Sequence, residues 1–553
     1  MDQEHRAQDR WTSRNLALAV RILLALLLAG LLARILNYPL NHDEQLFLTA
    51  AAQLPSWRLY DDLGFNHFPN LPYLLSAILG VTDTGYLLLT GRIVVFLGWL
   101  AALAALWLLG RRLGAGPLAS VTALLLLLGN VLLLGQPGML ATNNLLTIPF
   151  ALFGLYFLLR GLDREAPSPV SVFLAGVFVS LAIGFKANYI FLVPPFALAV
   201  LLAPSQRPLV QRVVKGVVPL ALGGLIGGIP VLAYLASDHE SLLAHTLRYF
   251  TELHAAYWAN SDIPQISSVA KRVVLAEQIW LSNANLLALC AVIALLIMPK
   301  FRKEGAGDAD RPQLWPLLVV LGLIGLGVVV SFVPKPSFPQ YFVPPVAFII
   351  VALLVAAGRL NRAERAYARP LLLAVAILAV AGSASRLLPE LPQLANPAKL
   401  TAVRLHRESS DLLQGAGLRQ ATRWRRLRRF TRLRPGWRSI PSWRRGRLSI
   451  GLPNISLQVT GNTTGRPPNP AFMPSLMPIR RPQSSPATRA RSIAISKPGR
   501  SLAGIAMFPD RRVRIGKGSV CTFARVESVT FWLAVWRNQA TTDSPFWISR
   551  ESL

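Results

Sequence analysis

The chain has 553 residues, 53% of them hydrophobic and 15% charged. That balance excludes an ordinary soluble domain, because the apolar residues gather in runs of roughly 17–22, the length that crosses a hydrocarbon core of about 30 Å. The net charge of +31 excludes less: residues 401–553 hold 28 Lys and Arg against 6 Asp and Glu, so the remainder carries only +9 and gives no ground for a nucleic-acid partner.

The first apolar run, residues 16–36, is longer than a signal-peptide core. No small-residue cleavage site follows it, so it reads as a retained anchor. Ten further spans are expected at about 86–109, 117–134, 144–160, 169–185, 189–204, 215–236, 279–298, 313–333, 340–358 and 369–387. The runs are too continuous for barrel strands, and backbone in hydrocarbon must satisfy its own hydrogen bonds, so an all-α polytopic membrane protein of about eleven transmembrane helices is expected. Of the two cysteines, Cys290 lies in an apolar run as a packing residue, and the pair makes neither a disulfide framework nor a thiolate metal site.

The connections set the orientation. Arg6, Arg10 and Arg14 precede the first span; Arg111 and Arg112 follow the second; Arg160 and Arg164 the fourth; Arg207, Arg212 and Lys215 the sixth. Lys300, Arg302, Lys303 and Arg311 follow the eighth, and Arg359, Arg362, Arg365 and Arg369 the tenth. Every second connection is basic, which places the N-terminus and these connections in the cytoplasm. The outer face then receives 37–85, 135–143, the turn at Lys186, 237–278 and 334–339, and the long loops among these are where function is expected.

A domain of residues 1–387 is therefore expected, followed by a tail, 388–553, of different material. Residues 423–447 are rich in Arg and Trp, and Pro and Ser dominate 466–486. No helical or strand period persists, and the tail reads as disordered, as frame-shifted sequence, or as a basic segment for anionic lipid.

The first outer loop is the most informative stretch. Asp43 and Glu44 come just beyond the first span, and Leu46, Phe47, Ala50 and Ala51 have helical spacing, so a short interfacial helix is expected to hold the carboxylates against the bundle. Asp61 and Asp62 form a second acidic pair, and His67 follows with Pro69 and Pro72, which shape a turn. In sum, this loop carries HDE (42–44), LYDD (59–62) and HFPNLPY (67–73); GFKANYIFLVPP (184–195) and FPQYFVPPVAFI (338–349) come later.

In the order of these motifs the sequence resembles the GT-C class of polyprenyl-phosphate-sugar glycosyltransferases, and within it the branch of protein mannosyltransferases and lipid A aminoarabinose transferases. The resemblance covers about residues 15–387 and none of the tail. It implies an integral membrane glycosyltransferase that takes one sugar from a polyprenyl-phosphate donor and passes it, with inversion, to an extracytoplasmic lipid, glycan or protein acceptor. It also implies a catalytic acidic residue in the first outer loop.

The chemistry is consistent with that. Such a transfer needs a base for the acceptor hydroxyl, and on the leaving side cations rather than a carboxylic acid, since phosphate already leaves well. Asp43 is the expected base. Glu44 is expected to orient it or to help bind a divalent metal ion, the one cofactor considered. Lys186, Arg248 and Lys335 are the outer-face cations available to the phosphate. Asp61, Asp62, His67, Arg92 and Tyr341 complete the expected substrate-contacting set.

Each has a plainer role. A carboxylate pair at a span end can be a solvated boundary, Lys186 can snorkel, Arg248 and Lys335 can anchor at the interface, and Asp61 and Asp62 can cap a turn. Arg92 can contact the outer loop or headgroups, and His67 has no second histidine nearby for a metal. Leu/Ala/Arg-rich spans point to a bacterial inner membrane. A transporter or lipid flippase is the principal rival, but no internal repeat is visible and the acidic residues lie at the surface, not the midplane.

Overall fold

The computed structural model describes residues 2–163, 167–203, 206–261, 265–298, 313–415, 511–514 and 520–523. The chain divides into two units, 1–450 and 451–553. The described part of the first unit is helical. It begins with α1 (Asp2–Asn37), α2 (His42–Gln53), α3 (Asn70–Thr82), α4 (Leu87–Arg112) and α5 (Gly116–Leu128). A one-turn α6 (Gln136–Met139) precedes α7 (Asn143–Gly161) and α8 (Pro169–Phe185).

Among the described residues, six helices are long and apolar enough to cross a membrane: Asn15–Asn37, Leu87–Arg112, Asn143–Gly161, Leu209–Gly227, Pro339–Gly358 and Arg362–Ala395. Val269–Trp280 and Asn283–Ile297, bent by 77° at their junction, make a seventh if counted as one broken span. Asn70–Thr82, Gly116–Leu128, Pro169–Phe185, Ala187–Leu202 and Trp315–Ser331 are shorter apolar helices. Val346–Gly358 is buried along almost its whole length and forms the centre of the bundle. Outer helices instead expose leucine and isoleucine, such as Leu16, Ile22, Leu222 and Ile229, as lipid-facing helices do.

Helix α8 and the Leu209–Gly227 helix approach closely because glycine lines their contact. A Cβ on Gly176 would fall 2.0 Å from the Leu220 carbonyl oxygen, and one on Gly223 1.9 Å from that of Phe173. Lipid tails are as apolar as leucine, so close backbone packing of this kind holds such helices together where hydrophobic burial cannot.

The expected interfacial helix is α2. Asn41 caps it: its Oδ1 accepts from the Asp43 amide at 2.9 Å, and Glu44 reaches back to the Asn41 amide at 3.4 Å. Phe47, Ala50 and Ala51 are buried on one face.

Three sequence-based boundaries are corrected. The connection 237–278 is mostly helical, with a run at 239–259 that includes a π-helical stretch, Ala244–Leu253. The tail does not begin at 388. Leu388–Ala395 and Thr401–Gly415 pack on the bundle, where Arg34 pairs with Glu390 at 3.1 Å and Thr401 Oγ1 donates to the Asn37 carbonyl at 3.0 Å. Composition hid this, because three prolines and polar residues lower the hydropathy past residue 388 although the segment is anchored by polar contacts. In the second unit β1 (Arg511–Arg514) and β2 (Val520–Phe523) form an antiparallel hairpin, with Val513 opposite Cys521. Four-residue strands are too short to leave a period in the sequence. The rest of the tail, for which disorder or a frame shift was expected, lies outside the described residues, as do Arg164 and the basic connection with Lys300, Arg302, Lys303 and Arg311.

Candidate active site

Asp43 and Glu44 are neighbours at the start of α2, and a helix turns successive side chains about 100° apart, so the two carboxylates point to different surroundings. Glu44 is fully buried and meets Arg92 of α4, itself fully buried. Arg92 Nε donates to Glu44 Oε2 at 2.7 Å and Nη2 donates to Oε1. The remaining guanidinium hydrogens go to the carbonyls of Ile35, Tyr38 and Pro39. Glu44 Oε2 also accepts from the Ala141 amide at 3.3 Å. One ion pair therefore clamps the end of α1, the start of α2 and the 135–143 connection onto α4.

Glu44 thus has its acceptors engaged by Arg92 and by the Asn41 and Ala141 amides. Arg92 takes the plainer of its two expected roles, contact with the outer loop, through the carbonyls of Tyr38 and Pro39. Among the described residues, no three His, Cys, Asp or Glu side chains come together to hold a metal ion.

Asp43 faces the other way and is one-third exposed. Its Oδ1 lies 2.9 Å from His42 Nε2, and Gln136 Nε2 donates to Oδ2 at 3.5 Å. Helix α6, which carries Gln136, is pinned where Trp99 Nε1 donates to the Gly138 carbonyl at 2.9 Å. Burial raises the Asp43 carboxyl pKa, but the His42 hydrogen bond and the charges of His42, His67 and Lys186 outweigh it and hold the group below the usual carboxylate range. Asp43 is thus ionised at neutral pH.

Lys186 sits where α8 ends and the Ala187–Leu192 turn begins. Its Nζ donates to Asn144 Oδ1 at 2.5 Å and to the Gln340 carbonyl at 3.2 Å, and lies 5.7 Å from the centre of the Tyr341 ring. Burial pushes the ammonium down to about 7, against the opposing pull of Asp43. The broken path of the chain at α8 and at Pro339–Phe342 brings these groups together from distant sequence.

His67 forms a wall of the same site. Its ring stacks between Phe47 (5.1 Å, 17°) and Phe250 (5.6 Å, 9°), and its carbonyl accepts from the Tyr60 hydroxyl at 2.9 Å. Burial lowers the imidazole to about 4, so it is neutral at pH 7. Phe250 comes from the π-helical stretch of the 239–259 run, a distortion that often marks functional sites.

Of the expected set, the structure brings together Asp43, His67, Lys186 and Tyr341. Asp61 and Asp62 lie in an exposed turn, where Arg58 holds both: its guanidinium meets Asp61 at 3.3 Å and its amide donates to Asp62 at 2.7 Å. Asp61 also accepts from Ser241 Oγ at 3.3 Å. Arg248 and Lys335 are exposed and bonded to none of the site's groups. Sequence reasoning missed Gln136, Asn144 and Phe250. The run Thr142-Asn143-Asn144 opening an apolar helix was the available signal for Asn144; Gln136 and Phe250 left none.

Residues 66–234 match the family model described as dolichyl-phosphate-mannose-protein mannosyltransferase. The match begins beyond Asp43 and takes in His67 and Lys186. Among solved structures, ArnT from Cupriavidus metallidurans bound to undecaprenyl phosphate is 17% identical, over 71% of this chain and 77% of that one, with a TM-score of 0.45. The oligosaccharyltransferase AglB from Archaeoglobus fulgidus, in complex with an inhibitory peptide and a dolichol-phosphate, is 13% identical, over 68% of this chain and 56% of that one, with a TM-score of 0.40. No curated protein matches the chain. Over residues 66–234 the chain is similar to the polyprenyl-phosphate-sugar glycosyltransferases to which its motifs pointed.

Proposed function

We propose that the protein is an inverting glycosyltransferase that moves one sugar from a polyprenyl-phosphate carrier to an extracytoplasmic acceptor. The observation that carries this reading is an ionised, partly exposed carboxylate, Asp43, and a half-buried ammonium, Lys186, that act on each other electrostatically, with Asn144 and the Gln340 carbonyl holding the ammonium. Asp43 removes the acceptor hydroxyl proton as that oxygen bonds to the anomeric carbon. The bond from the anomeric carbon to the phosphate oxygen breaks, its electron pair leaves with the polyprenyl phosphate, and Lys186 meets the resulting charge. Neutral His67 and the faces of Phe250 and Tyr341 shape the sugar's surroundings. Gln136 orients Asp43, and Asn144 orients Lys186.

In this reading eleven crossings put the N-terminus and the basic connections in the cytoplasm of a bacterial inner membrane, with Asp43 on the outer face. The test is transfer of labelled sugar from a panel of polyprenyl-phosphate sugars in membranes, comparing wild type with Asp43→Asn. Transfer by wild type that is lost in the variant at equal protein level supports the reading. Absence of transfer from every donor, with solute or lipid movement instead, would replace it with transport.

A further inference from the structure

Where α7 ends and α8 begins, at the other end of α8 from Lys186, the structure holds a cavity of about 110 Å³. Gly161 at the end of α7, Ser168 at the cap of α8, and Arg207, Gln211, Arg212 and Lys215 at the start of the Leu209–Gly227 helix line it. We propose that this cavity binds the phosphate of an anionic phospholipid headgroup.

Three basic residues, Arg207, Arg212 and Lys215, line one small space. Arg212 is held in place by donating to the Arg207 carbonyl at 2.7 Å and the Leu201 carbonyl at 3.2 Å. Arg207 and Lys215 make no side-chain hydrogen bond or ion pair among the described residues. Helix α8 starts at the cavity and α7 ends there, so the two opposed helix dipoles largely offset and the positive field is that of the side chains. Phosphate is the matching chemistry, since cation clusters at the ends of membrane helices hold lipid headgroups.

Size and surroundings favour a lipid over a soluble phosphate compound. The cavity is well below the roughly 300–1,000 Å³ that encloses a nucleotide-sized ligand. On the same helix, Leu209, Val210, Val213 and Val214 are exposed at 62%, 73%, 37% and 57%, an apolar track for acyl chains beside the cations. The positive-inside tendency explains basic residues in this connection but not that three of them line one cavity.

The site is independent of sugar transfer and is tested without it. Full-length protein is purified from membranes and reconstituted in nanodiscs of phosphatidylcholine with or without phosphatidylglycerol, and the retained lipid is read by native mass spectrometry. Wild type is expected to retain phosphatidylglycerol in preference. Arg207→Gln with Lys215→Gln should weaken that retention roughly tenfold or more. Gln206→Arg with Arg207→Gln, which keeps the connection's charge but moves it off the cavity, should weaken it partly. Arg362→Gln, a cation elsewhere on a basic connection, should not. Equal retention in wild type and both cavity variants would overturn the proposal. Binding of inorganic phosphate without retention of phosphatidylglycerol would overturn the lipid assignment in favour of a soluble phosphate.

Discussion

Two charge clusters begin one residue apart, at Asp43 and at Glu44, and they have opposite fates. The Glu44–Arg92 pair is sealed from solvent, with the guanidinium hydrogens spent on Glu44 and on three backbone carbonyls. The Asp43 cluster is looser: a carboxylate one-third exposed, a long contact to Gln136, and a lysine whose charge is opposed by burial. Satisfied polar networks rigidify, whereas groups held in partly unmet surroundings are available for chemistry. The clamp thus fixes the backbone on which the reactive cluster stands, and the comparison makes separable predictions.

The largest effect is expected at the base. Asp43→Asn should lower transfer by roughly 10²–10⁴-fold with little change in thermal stability. Arg92→Met should do the reverse in kind. It leaves Glu44 charged and buried without its partner, a loss of about 3–5 kcal/mol, so the unfolding temperature and membrane yield should fall first. Adding Glu44→Met to it should recover part of that stability. If Arg92→Met folds normally and loses only transfer, the division between clamp and reactive cluster fails.

Lys186→Met should raise the KM for the donor and lower kcat, with a loss of about 1.5–3 kcal/mol expected for a charge-assisted hydrogen bond to phosphate. The pH profile sharpens this. In the free enzyme Lys186 loses its proton as pH rises through about 7, so kcat/KM should fall on the alkaline side from there. A bound phosphate favours the charged form, so the corresponding limb in kcat should lie higher. Lys186→Arg should abolish the limb if it retains activity. On the acid side Asp43 is held below the usual carboxylate range, so activity should persist to a lower pH than a free carboxylate would allow. The smallest effects are expected at Arg248→Gln and Lys335→Gln, which should change transfer by less than about twofold, as exposed cations without a partner in the site do. A large loss at either would enlarge the site.

Much of this architecture was legible in the sequence. Apolar runs are long because the bilayer is thick, so the helical membrane class and most helix positions follow from hydropathy alone. The short helix carrying Asp43 was equally plain, because its amphipathic spacing is local; its Asn41 cap was there to be read and was not. Burial and partner choice were not. Asp43 and Glu44 look alike in a row of letters, and only the path of α4 puts a guanidinium beside one of them. Arg92, 48 residues away, appeared as a cation near the interface and proved to be a structural tie. Lys186 and Tyr341 are separated by more than 150 residues, and their meeting depends on broken helices that carry no periodic signal. Local sequence determined the elements and the chemistry they carry. Packing decided which charges are sealed and which stay reactive, because desolvation and pairing arise from atoms the chain brings together only when folded.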